Sequence, residues 1–155
     1  MPRTLTFCCS VKKGIGKHSD LRIPGTNELP DAPSDWPTTL QPGSLNALID
    51  DNGYPDGFES LGSGPGMKKL DDGCFEPEFV IPKDKIKNNS KGDAQVWRAC
   101  IVVNATGEEI ACWALRRIGS GIKKQIELVS AVHLRNTFRL GEDAKVTVRL
   151  FERQE

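Results

Sequence analysis

The residues best suited to bind a metal ion lie in the stretch Pro42-Gly43-Ser44-Leu45-Asn46. A Pro-Gly turn leads there into an apolar run, residues 45–49, that predicts a short strand. Ser44 and Asn46 are two residues apart, so an extended strand places both side chains on one face. A hydroxyl and an amide oxygen side by side are hard, neutral ligands that can hold Mg2+ together with water and nucleotide phosphates. The alternative, which is the commoner use of such residues, is a turn serine and a strand-edge asparagine that bond nearby backbone.

A second candidate site is the loop Gly14-Ile15-Gly16-Lys17-His18, which follows the first predicted strand. Two glycines beside lysines can bring backbone N–H groups and positive charge close to a phosphate. The loop lacks the Walker pattern, and the alternative is a glycine-rich turn with solvated lysines.

Two further positions carry charge where it could act on a ligand. Glu127 is a carboxylate within the apolar stretch Ile126-Glu127-Leu128-Val129. It could accept a proton from a hydroxyl in a pocket, or it could face water from a half-buried strand. Arg116 and Arg117 precede Gly119-Ser120-Gly121 and could form either a basic flap over phosphate or a charged hairpin end.

The elements that would position these residues are mostly strands. Alternating apolar and β-branched residues predict them over six stretches: 3–11, 45–49, 95–103, 109–115, 124–129 and 145–151. Phe75, Phe79, Val80 and Ile81 predict one further short strand, which Pro82 stops. Residues 104–107 predict a hairpin turn, and Leu134 and Phe138 predict a short helix at 133–138. We therefore expect a mainly β single domain, residues 1–155: a small closed barrel of six or seven strands with one or two short helices. The long Gly/Pro-rich stretches 19–43 and 51–72 should be loops, with Trp36 either anchoring its loop or forming a wall for an aromatic ligand.

Composition limits the function further. The chain of 155 residues has 21 basic and 21 acidic residues, so the zero net charge offers no case for general nucleic-acid or membrane-surface binding. Its five cysteines lack metal-ligand spacing, and the adjacent Cys8 and Cys9 should point to opposite strand faces. The absence of an apolar leader or membrane span in this sequence, together with reduced packing cysteines, predicts a cytoplasmic protein.

The order of the motifs resembles the archaeal CTP-dependent riboflavin kinases. The similarity rests on the Gly-x-Gly loop after the first strand, Pro-Gly-Ser-Leu-Asn in the middle, and Ile-Glu-Leu-Val-Ser-Ala-Val-His-Leu-Arg near the end. The closing Leu140-Gly141-Glu142-Asp143-Ala144-Lys145-Val146 is similar to the segment that follows the helix in that family. These four patches cover about thirty residues. The resemblance implies a cradle-loop β-barrel that transfers the γ-phosphate of CTP to the 5′-hydroxyl of riboflavin, giving FMN and CDP.

The resemblance also implies roles for individual residues. Ser44 and Asn46 would be the Mg2+ ligands, because they match the family's Gly-Thr-Leu-Asn with serine in place of threonine. Glu127 matches the acidic residue that touches the flavin, which makes it the candidate base, and Gly119 would also contact the flavin. The nucleotide would be bound by two segments: Gly14, Ile15, Gly16, Lys17 and His18, and Val132, His133, Leu134 and Arg135.

Three functions remain open on the sequence. The first is an Mg2+-dependent kinase that takes CTP and riboflavin, or another small alcohol, as substrates, with Lys17 or the pair Arg116 and Arg117 neutralising charge. The second is a barrel that binds a nucleotide or another small ligand without turnover. The third is a structural or regulatory barrel whose loops contact a protein partner.

Overall fold

The computed structural model describes residues 4–12, 29, 32–36, 45–50, 53, 75–82, 93–117, 125–129 and 144–153. These residues contain seven strands and no helix. The strands are β1 (Thr4–Lys12), β2 (Leu45–Ile49), β3 (Phe79–Ile81), β4 (Ala94–Val103), β5 (Glu109–Arg117), β6 (Gln125–Val129) and β7 (Lys145–Phe151). In this part of the chain no helix is long and apolar enough to cross a membrane.

Six strands close into an antiparallel barrel in the order β1-β2-β6-β5-β4-β7. The first and last strands pair along most of their length, from Thr4 opposite Phe151 to Ser10 opposite Lys145. Strand β7 then pairs with β4 on its other side, which completes the ring. The short strand β3 pairs with the start of β4. It uses the same edge of β4 that pairs with β7 farther along the strand. The expected six or seven strands are therefore confirmed as a six-stranded closed barrel with one added strand.

The barrel interior is filled by alternate residues of the six strands, as a period of two requires. Strand β7 contributes Val146, Val148 and Leu150, each at most 1% exposed, which is the inward direction that alternation along this strand predicts. Cys9 is buried inside while its neighbour Cys8 is exposed, which confirms that the two thiols face opposite ways. Burial raises the pKa of the Cys9 thiol, and it raises that of Cys112 to about 12, so both behave as packing residues.

A second apolar cluster lies on the outside of the barrel. Its members from strands β3 to β6 are Ile81, Ala94, Val96, Trp113, Leu115 and Val129. Leu29 and Trp36, which come from the long connection between β1 and β2, cover this face. The rings of Trp36 lie 5.0 Å from those of both Phe79 and Trp113, in edge-to-face arrangements. Trp36 is 2% exposed, so the interpretation of this residue as a loop anchor is confirmed.

Six of the predicted strands agree with the observed ones to within one or two residues at each end. The remaining strand, β3, begins at Phe79 and does not include Phe75, which the sequence prediction groups with it. The turn at 104–107 is also present, with Gly107 at a φ of 75° in the left-handed region. The predicted helix at 133–138 and most of the loops at 19–43 and 51–72 lie outside the described residues. The cradle-loop architecture remains a prediction.

Candidate functional site

One end of the barrel collects the strand ends that adjoin the predicted binding segments. Strand β1 ends there at Lys12, β2 begins there at Leu45, and β6 ends there at Val129, because the three strands pair antiparallel in this order. Strand β7 begins at the same end with Lys145, which lies opposite Ser10. We call this end the upper rim. The glycine loop follows Lys12, Ser44 precedes Leu45, and residues 132–135 follow Val129 in the chain.

Strand register brings two of the predicted site residues together at the upper rim. Asn46 lies opposite Lys12 on one side and opposite Glu127 on the other. Directly opposed residues of an antiparallel pair have Cα atoms about 4.5–5.5 Å apart. The candidate metal ligand and the candidate base are therefore neighbours in space, although 80 positions separate them in the numbering of the chain.

Glu127 lies on the outer face of the barrel. Its neighbours Ile126 and Leu128 are buried in the interior, so alternation directs Glu127 and Val129 outward. Across the β5–β6 pairing Glu127 lies opposite Leu115, which belongs to the outer apolar cluster. The carboxylate is half-buried. It thus lies between an apolar wall on the β5 side and the position of Asn46 on the β2 side.

Most of the other predicted site residues lie outside the described residues. These are Gly14, Ile15, Gly16, Lys17, His18, Ser44, Gly119, Val132, His133, Leu134 and Arg135, and Asn46 is described through its strand position alone. The connection that carries Gly119 joins the end of β5 to the start of β6, which is the end of the barrel opposite the upper rim. The register therefore places the strand ends at Lys12, Leu45 and Val129 at the upper rim. The strand ends on either side of Gly119 lie at the opposite end of the barrel.

Arg116 and Arg117 belong to strand β5 and not to a separate flap. Arg116 lies opposite Gln95 in the β4–β5 pairing and is 9% exposed. It occupies the same face of β5 as Cys112 and Ala114, which line the interior. A guanidinium buried at the lower end of the barrel is badly placed to neutralise charge at the upper rim.

A polar cluster that the sequence analysis missed lies beside the Asn46 row. Ser10 donates a hydrogen bond from its hydroxyl to the Asp50 carboxylate at 2.9 Å, and Lys145 donates from Nζ to the Ser10 hydroxyl at 2.8 Å. Lys145 Nζ also lies 3.2 Å from Asp50 Oδ1. The cluster ties the end of β2 to β1 and β7. Pairing of β1 with both β2 and β7 assembles it, so no local pattern in the sequence could indicate it.

A second missed group surrounds Arg98 on the outer face of β4. Its guanidinium forms a two-pronged ion pair with Asp35, in which Nη1 contacts Oδ2 and Nη2 lies 2.8 Å from Oδ1. Arg98 Nε lies 3.6 Å from Glu78 Oε1, and the guanidinium carbon lies 4.8 Å from the centre of the Trp113 ring. Hydrogen bonding to Arg98 lowers the pKa of Asp35, and the same pairing raises the pKa of Arg98.

Comparison with known proteins adds no identification to this geometry. No family model matches the chain, and no curated protein is significantly similar to it.

Proposed function

We propose that the chain is an Mg2+-dependent kinase that transfers the γ-phosphate of CTP to the 5′-hydroxyl of riboflavin. The proposal combines the resemblance of four sequence patches to the CTP-dependent riboflavin kinases with one structural observation. That observation is the row Lys12–Asn46–Glu127, in which the candidate metal ligand and the candidate base occupy opposed positions on adjacent strands. These opposed positions would allow one bound nucleotide–acceptor pair to contact both residues.

The chemistry of Ser44 and Asn46 fits Mg2+. Hydroxyl and amide oxygens are hard donors, and Mg2+ keeps several of its own waters and binds phosphate oxygens beside one or two protein ligands. Ser44 directly precedes Leu45, with which β2 begins at the upper rim. When bound there, Mg2+ would supply charge neutralisation on the nucleotide phosphates.

Chain connectivity supports a nucleotide site at the same rim. Gly14 is two residues beyond Lys12, and Val132 is three residues beyond Val129. At about 3.3–3.6 Å per extended residue, neither can lie far from the strand end that precedes it. The glycine loop and residues 132–135 are thus tethered to neighbouring parts of the upper rim, from which both could reach one nucleotide.

Glu127 would act on the acceptor. Its carboxylate would orient the 5′-hydroxyl and accept the proton as the oxygen bonds to the γ-phosphorus, while the bond from that phosphorus to the β–γ bridging oxygen breaks and CDP leaves. Phosphoryl transfer depends more on alignment and charge neutralisation than on proton removal, so orientation is the larger part of this role.

The test is turnover of riboflavin to FMN with CTP and Mg2+, followed by chromatography of the fluorescent product. Glu127→Gln should lower kcat by at least about 100-fold, the usual contribution of a positioned base. Asn46→Ala should remove most activity, because it deletes a metal ligand. The matched controls are Glu109→Gln and Asn104→Ala, which alter an exposed carboxylate and an exposed amide of the same barrel. Both controls should keep wild-type activity, and each should lower the free energy of unfolding by no more than about 1 kcal/mol, because Asn104 accepts a hydrogen bond from Thr147 and Glu109 pairs with Arg149.

Three other results would contradict the proposal in different ways. Binding of CTP without consumption in the presence of riboflavin would indicate a nucleotide-binding barrel without catalysis. Consumption of CTP with another alcohol, but not with riboflavin, would indicate a kinase of different acceptor specificity. Absence of any CTP binding would favour a structural or regulatory barrel.

A further inference from the structure

Arg98 joins two separate connections of the chain to the barrel wall. Asp35 belongs to the connection between β1 and β2, and Glu78 directly precedes β3 at the end of the connection from β2. Both carboxylates pair with the single guanidinium, whose carbon lies over the Trp113 ring, 4.8 Å from its centre. A planar cation with several N–H groups can serve two carboxylates and an aromatic ring at once, which an ammonium group cannot do equally well.

The part of the first connection held in this way is Leu29 together with residues 32–36, which we call the outer segment. Its backbone forms two hydrogen bonds, from Ala32 N–H to the Leu29 carbonyl and from Trp36 N–H to the Pro33 carbonyl. Leu29 and Trp36 are 5% and 2% exposed against the outer apolar cluster. The outer segment is thus held by two buried side chains and by the Arg98 ion pair.

The surface under the outer segment adjoins Glu127. Two members of the outer apolar cluster are its direct neighbours: Leu115 lies opposite it, and Val129 follows it on the same face of β6. Movement of the outer segment away from the barrel would uncover this apolar wall and change the surroundings of the carboxylate. The position of the outer segment is therefore coupled to the shape of the site around Glu127.

We propose that Arg98 is a positioning residue that holds the outer segment against the barrel and thereby shapes the acceptor side of the site at Glu127. The part of this inference that concerns the acceptor rests on the proposed kinase function. Arg98 does not touch the reacting groups, because it lies on β4, two strands away from Glu127. Its effect passes through the outer segment and the apolar wall.

Hydrogen exchange of the amides of Ala32 and Trp36 tests the holding role without any substrate. Arg98→Gln should increase their exchange rates by about tenfold, because it removes both the charged pairing and the ring contact. The matched control is Arg149→Gln, which removes an arginine of similar exposure (37% against 39%) whose ion pair is with Glu109 at the start of β5 and not with the outer segment. The control should leave both amides unchanged, and Arg98→Lys should give an intermediate increase.

Steady-state kinetics test the positioning role. Arg98→Gln should raise KM for riboflavin at least about fivefold with kcat nearly unchanged, since Glu127 and the metal ligands are retained. Unchanged exchange in Arg98→Gln, or an equal increase in Arg149→Gln, would overturn the inference. Faster exchange with an unchanged KM would overturn its positioning part. If the wild-type protein does not phosphorylate riboflavin, the kinase proposal fails, and the exchange result alone decides whether Arg98 holds the outer segment.

Discussion

At the scale of single residues, Gly53 shows how closely a second backbone approaches strand β1 at Cys8. Its carbonyl accepts a hydrogen bond from Cys8 N–H at 2.9 Å, and Asp50 N–H donates to the Cys8 carbonyl at 2.9 Å. A Cβ atom at position 53 would lie 2.2 Å from the Cys8 carbonyl oxygen. Backbone atoms cannot rotate away as a flexible side chain can, so only glycine fits here. Gly53 N–H also donates to the Asp50 carbonyl at 2.8 Å, and the Asp50 carboxylate accepts hydrogen bonds from Ser10 and Lys145.

Gly53→Ala should therefore destabilise the protein by about 1–3 kcal/mol, since the backbone at position 53 must move and lose its hydrogen bond from Cys8. Gly107 provides the contrast. It has a φ of 75° but nothing within 4 Å of the site of a Cβ. Asparagine tolerates that conformation, so Gly107→Asn should cost less than about 1 kcal/mol. Urea unfolding measures both, and a cost for Gly53→Ala no greater than that for Gly107→Asn would contradict the steric argument.

The candidate site could be predicted from the sequence only one residue at a time. Asn46 and Glu127 each stood out by type and local context, and the resemblance connected them. Their opposed positions follow from the pairing of β2 with β6, which are far apart in sequence. Arg98 could not be recognised at all, because its partners Asp35 and Glu78 lie in stretches without periodic pattern. Long-range register and loop docking carry no local signal.

At the scale of elements, the outer segment depends on charge as well as apolar packing. Asp35 is exposed, with 57% of its side chain accessible, and its pKa is lowered mainly by the hydrogen bond from Arg98. A lowered carboxyl pKa in the folded state adds stability above the ordinary value of 3.8. That stability is lost as the pH falls through the folded-state pKa, where Asp35 becomes neutral while Arg98 stays charged.

Asp35→Asn should accordingly reduce the free energy of unfolding at about pH 7 by less than about 1 kcal/mol, as for an exposed ion pair. The difference in the free energy of unfolding between wild type and variant should shrink as the pH falls below 3.8. It should vanish once Asp35 is protonated in both the folded and the unfolded state. Urea unfolding at several pH values measures this. A difference that stays constant at acid pH would show that the variant acts through packing and not through the charge of Asp35.

Strands were the most predictable elements, because their signal is local. Alternating apolar residues such as Val146, Val148 and Leu150 predict a strand with one buried face. Pro82 directly follows the last residue of β3 and predicts its end. The order of the strands around the barrel was not available from such patterns. The closed ring places β2 between β1 and β6, and it pairs β7 with β1 on one edge and with β4 on the other.

At the scale of the whole molecule, β7 is the strand that closes the barrel. One edge pairs with β1 from Thr4 to Ser10, and the other pairs with β4 from Arg98 to Val103. Its three inward side chains fill the interior between those two strands. Without β7, two edges and an apolar interior would be open to solvent, and unpaired edges of this kind promote association between chains. The upper rim consists of the ends of neighbouring strands, so its arrangement depends on closure of the ring by β7.

Truncation after Asp143, which removes β7, should abolish cooperative folding and give aggregated protein. The control is truncation after Arg153, which keeps β7 together with the Arg153 N–H bond to the Glu76 carbonyl and should leave the melting transition unchanged. Circular dichroism melting and size-exclusion chromatography distinguish the two results. A synthetic peptide of residues 144–153 should restore part of the folded signal, since strand addition supplies the missing hydrogen bonds to both edges. A cooperative transition in the chain that lacks β7 would show that the remaining five strands and β3 are stable as an open sheet, and that closure is not what holds the upper rim together.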